Sequence, residues 1–348
     1  MNEITIGIAL SDLNLADQPS RLTVPDDLMA YAHRFSNTLN TETVFFELQP
    51  EARFVNLTTY PDQFQGNLHN PWLKIMYTEH ALQRFLRGEH IRIGLHMPTT
   101  GRDPLSSNFY AKYRALEETK RVMDLAQAIE ADYMVFHLAT RDKWTWERQD
   151  QVAKGLKIYK EIAAYYASRG YTFTPLIEVL PYPRFPAHGG ELLSIFNQAQ
   201  HILHNTRIAF NISHLWQTYR RLMVLGQWDE RVSFLDHLEY SLSNVCDMIH
   251  VIQLGGCWES ETHAIPGLHP QQNPFDSPLK LRESPGIYAE SGEINLNGVL
   301  DLVVKYTLGV GRPLHLILDI RDRDISQVLE ATRQIRADIL ARVRERFM

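Results

Sequence analysis

The sequence predicts a protein of the α/β class, a (β/α)8 or TIM barrel with long loops at its C-terminal face. Eight short apolar runs recur along the 348 residues, and amphipathic helical patterns separate most of them. Continuously apolar strands that alternate with helices are typical of a parallel sheet covered on both faces, and eight such units imply closure into a barrel. An open doubly wound sheet would more often carry a glycine-rich phosphate turn after an early strand, and the sequence has none.

The predicted strands and helices follow in order along the chain. The apolar runs are short enough for buried strands, and they span residues 4–10, 43–48, 91–96, 133–139, 172–179, 208–212, 248–254 and 314–320. The amphipathic patterns predict helices over residues 108–131, 149–170, 190–205, 229–245 and 326–347. Gly170 stands where the second of these helices ends, and glycine favours the conformation of a helix C-cap.

We expect residues 1–348 to form a single barrel domain, because such barrels commonly run to ~250 residues and beyond with insertions. The longest gap between apolar runs is 255–313, and five prolines fall between Pro266 and Pro285. Loops longer than ~12–15 residues are usually functional or disordered. The sequence therefore predicts an irregular lid at about residues 255–293, over the face that carries barrel active sites.

The composition bounds the compartment and the classes of partner. A formal net charge of −6 argues against a broad nucleic-acid footprint, although a local basic groove stays open. No stretch approaches the ~18 apolar residues of a membrane span, and the N-terminus has no signal-peptide pattern. The two cysteines, Cys246 and Cys257, flank an apolar run that holds them too far apart for a disulfide. We expect a cytoplasmic protein without a membrane partner. The sequence leaves open whether the chain forms a homo-oligomer.

Polar side chains stand at six consecutive predicted strands, where an apolar residue would be the default. The C-terminal ends of barrel strands meet at one mouth, which is where barrel enzymes carry their active sites. A single histidine there is more often a hydrogen-bonded core residue, but several buried imidazoles and carboxylates are costly unless paired. A divalent cation suits these donors, so we predict one Zn or Mn ion and no organic cofactor. The residues are His96, His137, Glu178, Asn211 with His214, His250 and Asp319.

A series of short motifs resembles the xylose isomerase-like TIM-barrel superfamily. That superfamily contains single-metal sugar isomerases and epimerases, and also the three-zinc endonuclease IV enzymes. The resemblance follows the strand order from about residue 4 to residue 345. The motifs are GLH (94–96), FHLA (136–139), IEVLP (177–181), FNISH (210–214), IHVIQL (249–254), ETH (261–263), GEINL (292–296) and LHLILDI (314–320).

The resemblance implies a metal site shared by both branches of the superfamily. Glu178, His250 and Asp319 fall where its ligands lie, and Asn211 occupies a place usually held by an aspartate. The asparagine keeps an oxygen donor but removes a negative charge. Glu178 and Asp319 alone can balance one divalent ion, so the sequence favours one metal over three. The alternative is a site without metal, in which Asn211 is a structural amide.

The endonuclease branch implies further zinc ions. His96 and His137 would hold a second zinc, and His214 would hold a third together with Glu261 and His263. The family pattern at that last pair is Asp-x-His, whereas this chain has Glu-x-His. In the sugar branch the usual strand-eight glutamate is likewise replaced, by an aspartate in this chain.

We predict a metal-dependent isomerase or epimerase that acts on a sugar or polyol through metal-stabilised enediolate proton transfer. Glu178 is the expected base, Asp319 its partner, and His214 a group that binds a hydroxyl or relays a proton. The alternatives are an endonuclease IV-like zinc phosphodiesterase and a barrel with a non-catalytic, metabolite-handling role. Four tryptophans near strand ends are candidates for stacking on a sugar or for packing: Trp144, Trp146, Trp216 and Trp258.

Overall fold

Eight parallel strands hydrogen-bond around a closed circle, which confirms the predicted (β/α)8 barrel. The structure is a computed structural model that describes residues 4–11, 33–39, 44–49, 91–97, 104–105, 109–138, 148–229, 231–260, 280–284, 294–307, 314–319 and 325–347. The barrel strands are β1 (Ile4–Ser11), β2 (Val44–Gln49), β3 (Ile91–His96), β4 (Tyr133–Phe136), β5 (Thr174–Glu178), β6 (Arg207–Asn211), β7 (Ile249–Leu254) and β10 (Leu314–Leu318). Each pairs in parallel with the next, and β10 closes the circle against β1.

Helices follow most of the barrel strands, as the alternating sequence pattern predicts. The described helices are α1 (33–39), α2 (Phe109–Ala128), α3 (Arg148–Arg169), α4 (Gly189–Ile202), α5 (Ile212–Val224), α6 (Phe234–Val245), α7 (Leu296–Thr307) and α8 (Ile325–Phe347). Gly170 ends α3 with a φ of 66°, which confirms the predicted cap. Among the described residues, no helix combines the length and apolar character needed to cross a bilayer.

Three of these helices, α1, α5 and α7, were not among the predicted ones, and the sequence gives a local reason for the last two. Helix α5 begins at Ile212 directly after β6 ends at Asn211, so no turn or loop signal separates the strand from the helix. Helix α7 lies in the gap between the last two barrel strands, downstream of the proline-rich stretch whose composition hides the helical pattern beyond it.

The segment predicted as an irregular lid contains regular structure where it is described. Strands β8 (Gly256–Ser260) and β9 (Lys280–Ser284) pair in antiparallel fashion. The prediction of an irregular segment is therefore wrong for these residues, while 261–279 and 285–293 lie outside the described residues. Strand β8 follows β7 after one residue, so the segment leaves the barrel at its C-terminal mouth. Its action as a lid, like the single-domain organisation, stays a prediction.

The barrel interior has its own apolar cluster, separate from the core between sheet and helices. Successive side chains of a strand point to opposite faces, so inward positions recur every second residue. The interior cluster consists of Ala9, Phe45, Tyr133, Val135, Leu176, Ala209, Val251 and Ile317. Two residues further along five of these strands stand His137, Glu178, Asn211, Gln253 and Asp319. The alternation therefore turns these polar side chains inward at the C-terminal mouth.

Gly94 in β3 provides space that the interior needs. A Cβ atom at this position would overlap the ring of Tyr133, which is fully buried. The ring has no easy escape, because its hydroxyl donates a hydrogen bond to Glu47 over 2.8 Å. We therefore expect Gly94→Ala to lower the free energy of unfolding by ~1–3 kcal/mol, the usual cost of overpacking a core. Urea denaturation of the full chain measures the change.

Gly190→Ala in α4 is the matched control, because the nearest atom to its added Cβ is 3.6 Å away. It should be neutral or stabilise the fold by a few tenths of a kcal/mol, since alanine restricts the unfolded chain. Equal stability of the two variants would show that the Tyr133 ring does not depend on Gly94.

Candidate functional site

Glu178 is the centre of a buried polar cluster at the C-terminal mouth of the barrel. It ends β5 and is 1% exposed. Its Oε2 atom lies 3.0 Å from Nε2 of His96 and also contacts Nε2 of His137. Its Oε1 atom accepts a hydrogen bond of 2.9 Å from the Asn211 amide and lies 3.2 Å from Nδ1 of His214. The C-terminal ends of β3, β4 and β6 and the first turn of α5 thus bring four partners to the carboxylate that ends β5.

The cluster keeps Glu178 ionised. Burial alone would raise the pKa of this carboxyl, because a low-dielectric site disfavours charge. The charges and hydrogen bonds of His137 and His214 outweigh burial and hold its pKa well below the ordinary value. Glu178 is therefore an anion at neutral pH and can serve as a ligand to a cation.

The two histidines on Oε2 differ in protonation. Burial disfavours the charged form of His96, but the hydrogen bond and charge of Glu178, helped by the charge of Glu47, raise its pKa to about 9. For His137 burial dominates, and its pKa falls to about 4 because His96 and His214 also oppose a second positive charge. One proton therefore rests between His96 and Glu178 at neutral pH, while His137 is neutral. A cation that binds here displaces that proton.

Backbone carbonyls orient two of the imidazoles. Nδ1 of His96 donates to the carbonyl of Met97 over 2.8 Å, and Nδ1 of His214 donates to the carbonyl of Val179 over 2.9 Å. Since a carbonyl can only accept, these bonds assign the Nδ1 proton and leave Nε2 as the ligand nitrogen of the neutral ring. Metal-binding histidines are commonly held in this way by a partner behind the ring.

The residues on Oε2 fit a divalent metal ion. The ligand atoms of His96, His137 and Glu178 all lie within 4.8 Å of one another, and all three residues are buried. Two imidazole nitrogens with one carboxylate oxygen are a usual protein ligand set of a catalytic zinc, which keeps a further position for substrate. Nδ1 of His137 is buried without a hydrogen-bond partner among the described residues.

Asn211 has a role different from the predicted metal ligand. Its side-chain oxygen accepts a hydrogen bond of 3.1 Å from the backbone N–H of His214, which caps the N-terminus of α5. Its amide nitrogen donates to Glu178. An aspartate could cap the helix, but it would offer Glu178 no donor and would place a second negative charge beside it. The amide therefore holds Glu178 and begins the helix that carries His214.

His250 lies outside this cluster. It is the second residue of β7, and its ring packs against the rings of His315 and Tyr133 at centroid distances of 5.1 and 5.9 Å. The pairing of β6 with β7 passes from Ile249 to Val251, so His250 is an extra residue at an irregularity of the strand. The structure therefore places His250 in the lower part of the barrel, outside the group of His96, His137 and Glu178, and an ion shared by His250 and Glu178 stays a prediction.

Asp319 follows β10 directly, at the same mouth as Glu178. It is 9% exposed, and its backbone N–H donates to the carbonyl of Leu254 over 2.9 Å. It does not belong to the group of three possible metal ligands found among the described residues. The structure thus places Asp319 at the predicted end of the barrel, outside the possible ligand group of His96, His137 and Glu178.

Of the remaining predicted site residues, the structure describes the side chain of Trp216 and not those of the others. Trp216 lies in α5 and is 2% exposed, so it packs in the core and offers no face for a substrate. The side chains of Trp144, Trp146, Trp258, Glu261 and His263 lie outside the described residues. Their roles in stacking or in metal binding stay predictions.

Sequence reasoning did not single out Glu47 and Gln253, two polar residues inside the barrel. Glu47 is fully buried and accepts hydrogen bonds of 2.8 Å from the Tyr133 hydroxyl and from Nε2 of Gln253. The available signal was a charged or amide residue within an otherwise apolar strand, FFELQ in β2 and HVIQL in β7. A polar residue on the inward face of a barrel strand needs a partner there, as much as one at the strand end.

Known structures share the fold, whereas no family model and no curated protein matches the sequence. A D-tagatose 3-epimerase-like protein has a TM-score of 0.59 at 15% identity, covering 99% of this chain and 100% of that one. The IOLI protein with a binding zinc atom has a TM-score of 0.56 at 10% identity, over 97% and 98% of the two chains. SacUVDE reaches 0.54 at 13% identity, over 96% and 99%. At these identities the comparisons bear out the xylose isomerase-like resemblance at the level of the fold.

The ligand assignment predicts which histidines control metal affinity. The full chain should bind about one Zn²⁺ tightly, and His137→Gln should raise the Zn²⁺ dissociation constant more than ~100-fold, beyond the loss typical of a second-shell change. His250→Gln is the matched control and should leave the constant unchanged, because the structure places that ring outside the group. Competition with a chromophoric chelator measures both. The reverse pattern would restore His250 as a ligand.

His315 makes stability depend on pH. Burial, with the positive charges of His250 and Arg92, lowers its pKa from 6.5 to about 3. Between these values the unfolded chain binds a proton that the native chain does not, so stability falls as the pH is lowered. His315→Leu should flatten the dependence of unfolding free energy on pH by up to ~1.4 kcal/mol per pH unit.

Urea denaturation at several pH values from 6.5 to 4 measures this slope. His201→Leu controls for the loss of a histidine, because His201 is exposed on α4. If wild type and His315→Leu give parallel pH profiles, the buried imidazole is not the source of the dependence.

Proposed function

We propose that the protein is a metal-dependent enzyme that isomerises or epimerises a sugar or polyol by moving a proton at a carbon next to a carbonyl. The observation that carries the proposal is the buried, ionised Glu178 at the barrel mouth, with His96 and His137 on one oxygen and His214 beside the other. The fold shared with a D-tagatose 3-epimerase-like protein supports a sugar as the class of substrate.

The two carboxylate oxygens of Glu178 contact different groups of the site. His96, His137 and Oε2 would hold a divalent cation, which when bound supplies Lewis-acid stabilisation of negative charge on substrate oxygens. Oε1 is held by Asn211 and faces His214. The carboxylate thus joins the metal ligands to a group that can move a proton.

His214 and Glu178 together are suited to take a proton from substrate. Nδ1–H of His214 points to the Val179 carbonyl and to Oε1 of Glu178, so Nε2 is the nitrogen that accepts a proton. The neighbouring carboxylate stabilises the imidazolium that forms. The His214 side chain is 15% exposed, at the start of α5. Asp319, at the same mouth, is the second carboxylate that could return the proton.

Metal-assisted phosphodiester hydrolysis is the second candidate. It is favoured by the ligand group itself, because His96 and His137 are the residues that the endonuclease IV resemblance assigns to a zinc. A carboxylate with partners on both oxygens also suits a bridge between two ions. The net charge of −6 counts against this candidate, since nucleic-acid binding normally requires a basic surface.

Solvent exchange tests the proposal. The Mn²⁺- or Zn²⁺-loaded full chain should incorporate deuterium from D2O into a ketohexose such as fructose, and a chelator should abolish the exchange. Glu178→Gln should lower the rate at least ~100-fold, because it removes a metal ligand and the carboxylate that stabilises the His214 imidazolium. Mass spectrometry of the recovered sugar measures the incorporation.

Glu118→Gln is the matched control, since Glu118 is a buried glutamate on α2, outside the barrel interior. It should keep the wild-type rate. Exchange that persists in Glu178→Gln would refute the role of Glu178 in holding the cation and supporting His214. Chelator-sensitive cleavage of an abasic DNA duplex, without any exchange, would replace the isomerase proposal by the hydrolase.

A further inference from the structure

Gln253 lies in the same layer of the barrel as His96 and Glu178, two of the three candidate metal ligands. Strand tilt shifts positions of equal height by about one residue per strand, and each layer takes its side chains from alternate strands. The strand register then places Ala9, His96, Glu178 and Gln253 in one layer, from β1, β3, β5 and β7. Gln253 is also the direct partner of Asn211, which holds Glu178. Its side chain therefore faces the interior of the site.

The orientation of the Gln253 amide is determined by Glu47. Nε2 of Gln253 donates to Oε1 of Glu47 over 2.8 Å, and the amide oxygen lies on the other arm of the planar amide. The amide oxygen must therefore point away from Glu47. It is buried, with no hydrogen-bond partner among the described residues, in a side chain that is 1% exposed. A buried acceptor without a donor is costly, which indicates that a ligand supplies the donor.

Glu47 is itself held in place from the opposite side of the barrel. Its Oε2 atom accepts the Tyr133 hydroxyl over 2.8 Å, while Oε1 takes the Gln253 amide. The Tyr133 ring fills the space that Gly94 leaves open. Glu47 is fully buried and tied to β4 and β7 at once, so it cannot turn without breaking one of these bonds.

We propose that Glu47 is a positioning residue, which holds the Gln253 amide so that its oxygen accepts a hydrogen bond from a hydroxyl group of the substrate. The inference rests on the proposed function for its class of ligand, a polyhydroxy compound. Two imidazoles and one carboxylate already form the usual three-ligand set of a catalytic zinc, so the amide oxygen is available for the substrate. The hydrogen bond from Nε2 to Glu47 polarises the amide and makes its oxygen a stronger acceptor.

A double-mutant cycle on polyol binding tests the inference without turnover. The probe is xylitol, titrated calorimetrically into the Zn²⁺-loaded full chain. Gln253→Leu and Glu47→Gln should each raise the xylitol dissociation constant ~3- to 10-fold, which corresponds to the loss of one neutral hydrogen bond. The double variant should bind no more weakly than Gln253→Leu alone, because Glu47 acts through Gln253. The Zn²⁺ dissociation constant should stay within ~3-fold throughout.

Two further variants separate positioning from folding. Gln217→Leu replaces another buried glutamine, on α5, and should leave xylitol binding unchanged. Tyr133→Phe keeps the ring and removes only the bond to Glu47, and it should weaken xylitol binding ~2-fold. If Glu47→Gln does not fold, Tyr133→Phe takes its place in the cycle.

Three outcomes of the binding experiment would overturn the inference. Additive effects of the two substitutions would mean that Glu47 does not act through Gln253. A loss of Zn²⁺ affinity in the same pattern would make the amide oxygen a metal ligand instead. Wild-type protein that does not bind xylitol, or variants that bind it equally well, would remove the hydroxyl contact. Failure of deuterium exchange with an intact cycle would refute the isomerase reaction and leave the positioning role standing.

Discussion

The buried carboxylate of Glu178 determines which side chains must surround it at the mouth of this barrel. Glu178 is almost inaccessible to water, so its charge persists only because imidazoles and an amide surround both of its oxygens. Every element near it contributes to that arrangement: β3 ends in a histidine, a second histidine follows β4 directly, and β6 passes into a helix through the asparagine that donates to Glu178. Removing any one partner leaves an unbalanced charge in a low-dielectric interior, which couples the fold to the chemistry of the site.

The barrel interior is organised in zones along its axis. Near the mouth lie the groups that suit a cation and a substrate. Beneath them, Glu47 links Tyr133 and Gln253 across the barrel, and Gly94 makes room for the tyrosine ring. Lower still, the rings of His250 and His315 pack against aromatic neighbours. The lower zones support the upper one, since they restrict the side chains on which the site rests.

Interior polar residues are harder to interpret from sequence than strands are. The eight apolar runs identify the barrel because burial on both faces demands continuous apolar sequence. The same runs include Glu47, His250, Gln253 and His315, and nothing in the linear pattern says which of them meets the site. Helix α5 stayed hidden for a related reason, because Asn211 ends a strand and caps a helix in one step.

The sequence by itself determined the fold class, the order of the strands and the polar character of the barrel mouth, because these follow from local alternation of apolar and polar residues. Only the tertiary structure decided which polar residues belong together. Strand tilt and an extra residue in β7 bring Gln253, rather than His250, to the height of Glu178, although the two lie three positions apart. Register and tilt depend on how all eight strands close around one core, and no local pattern encodes that closure.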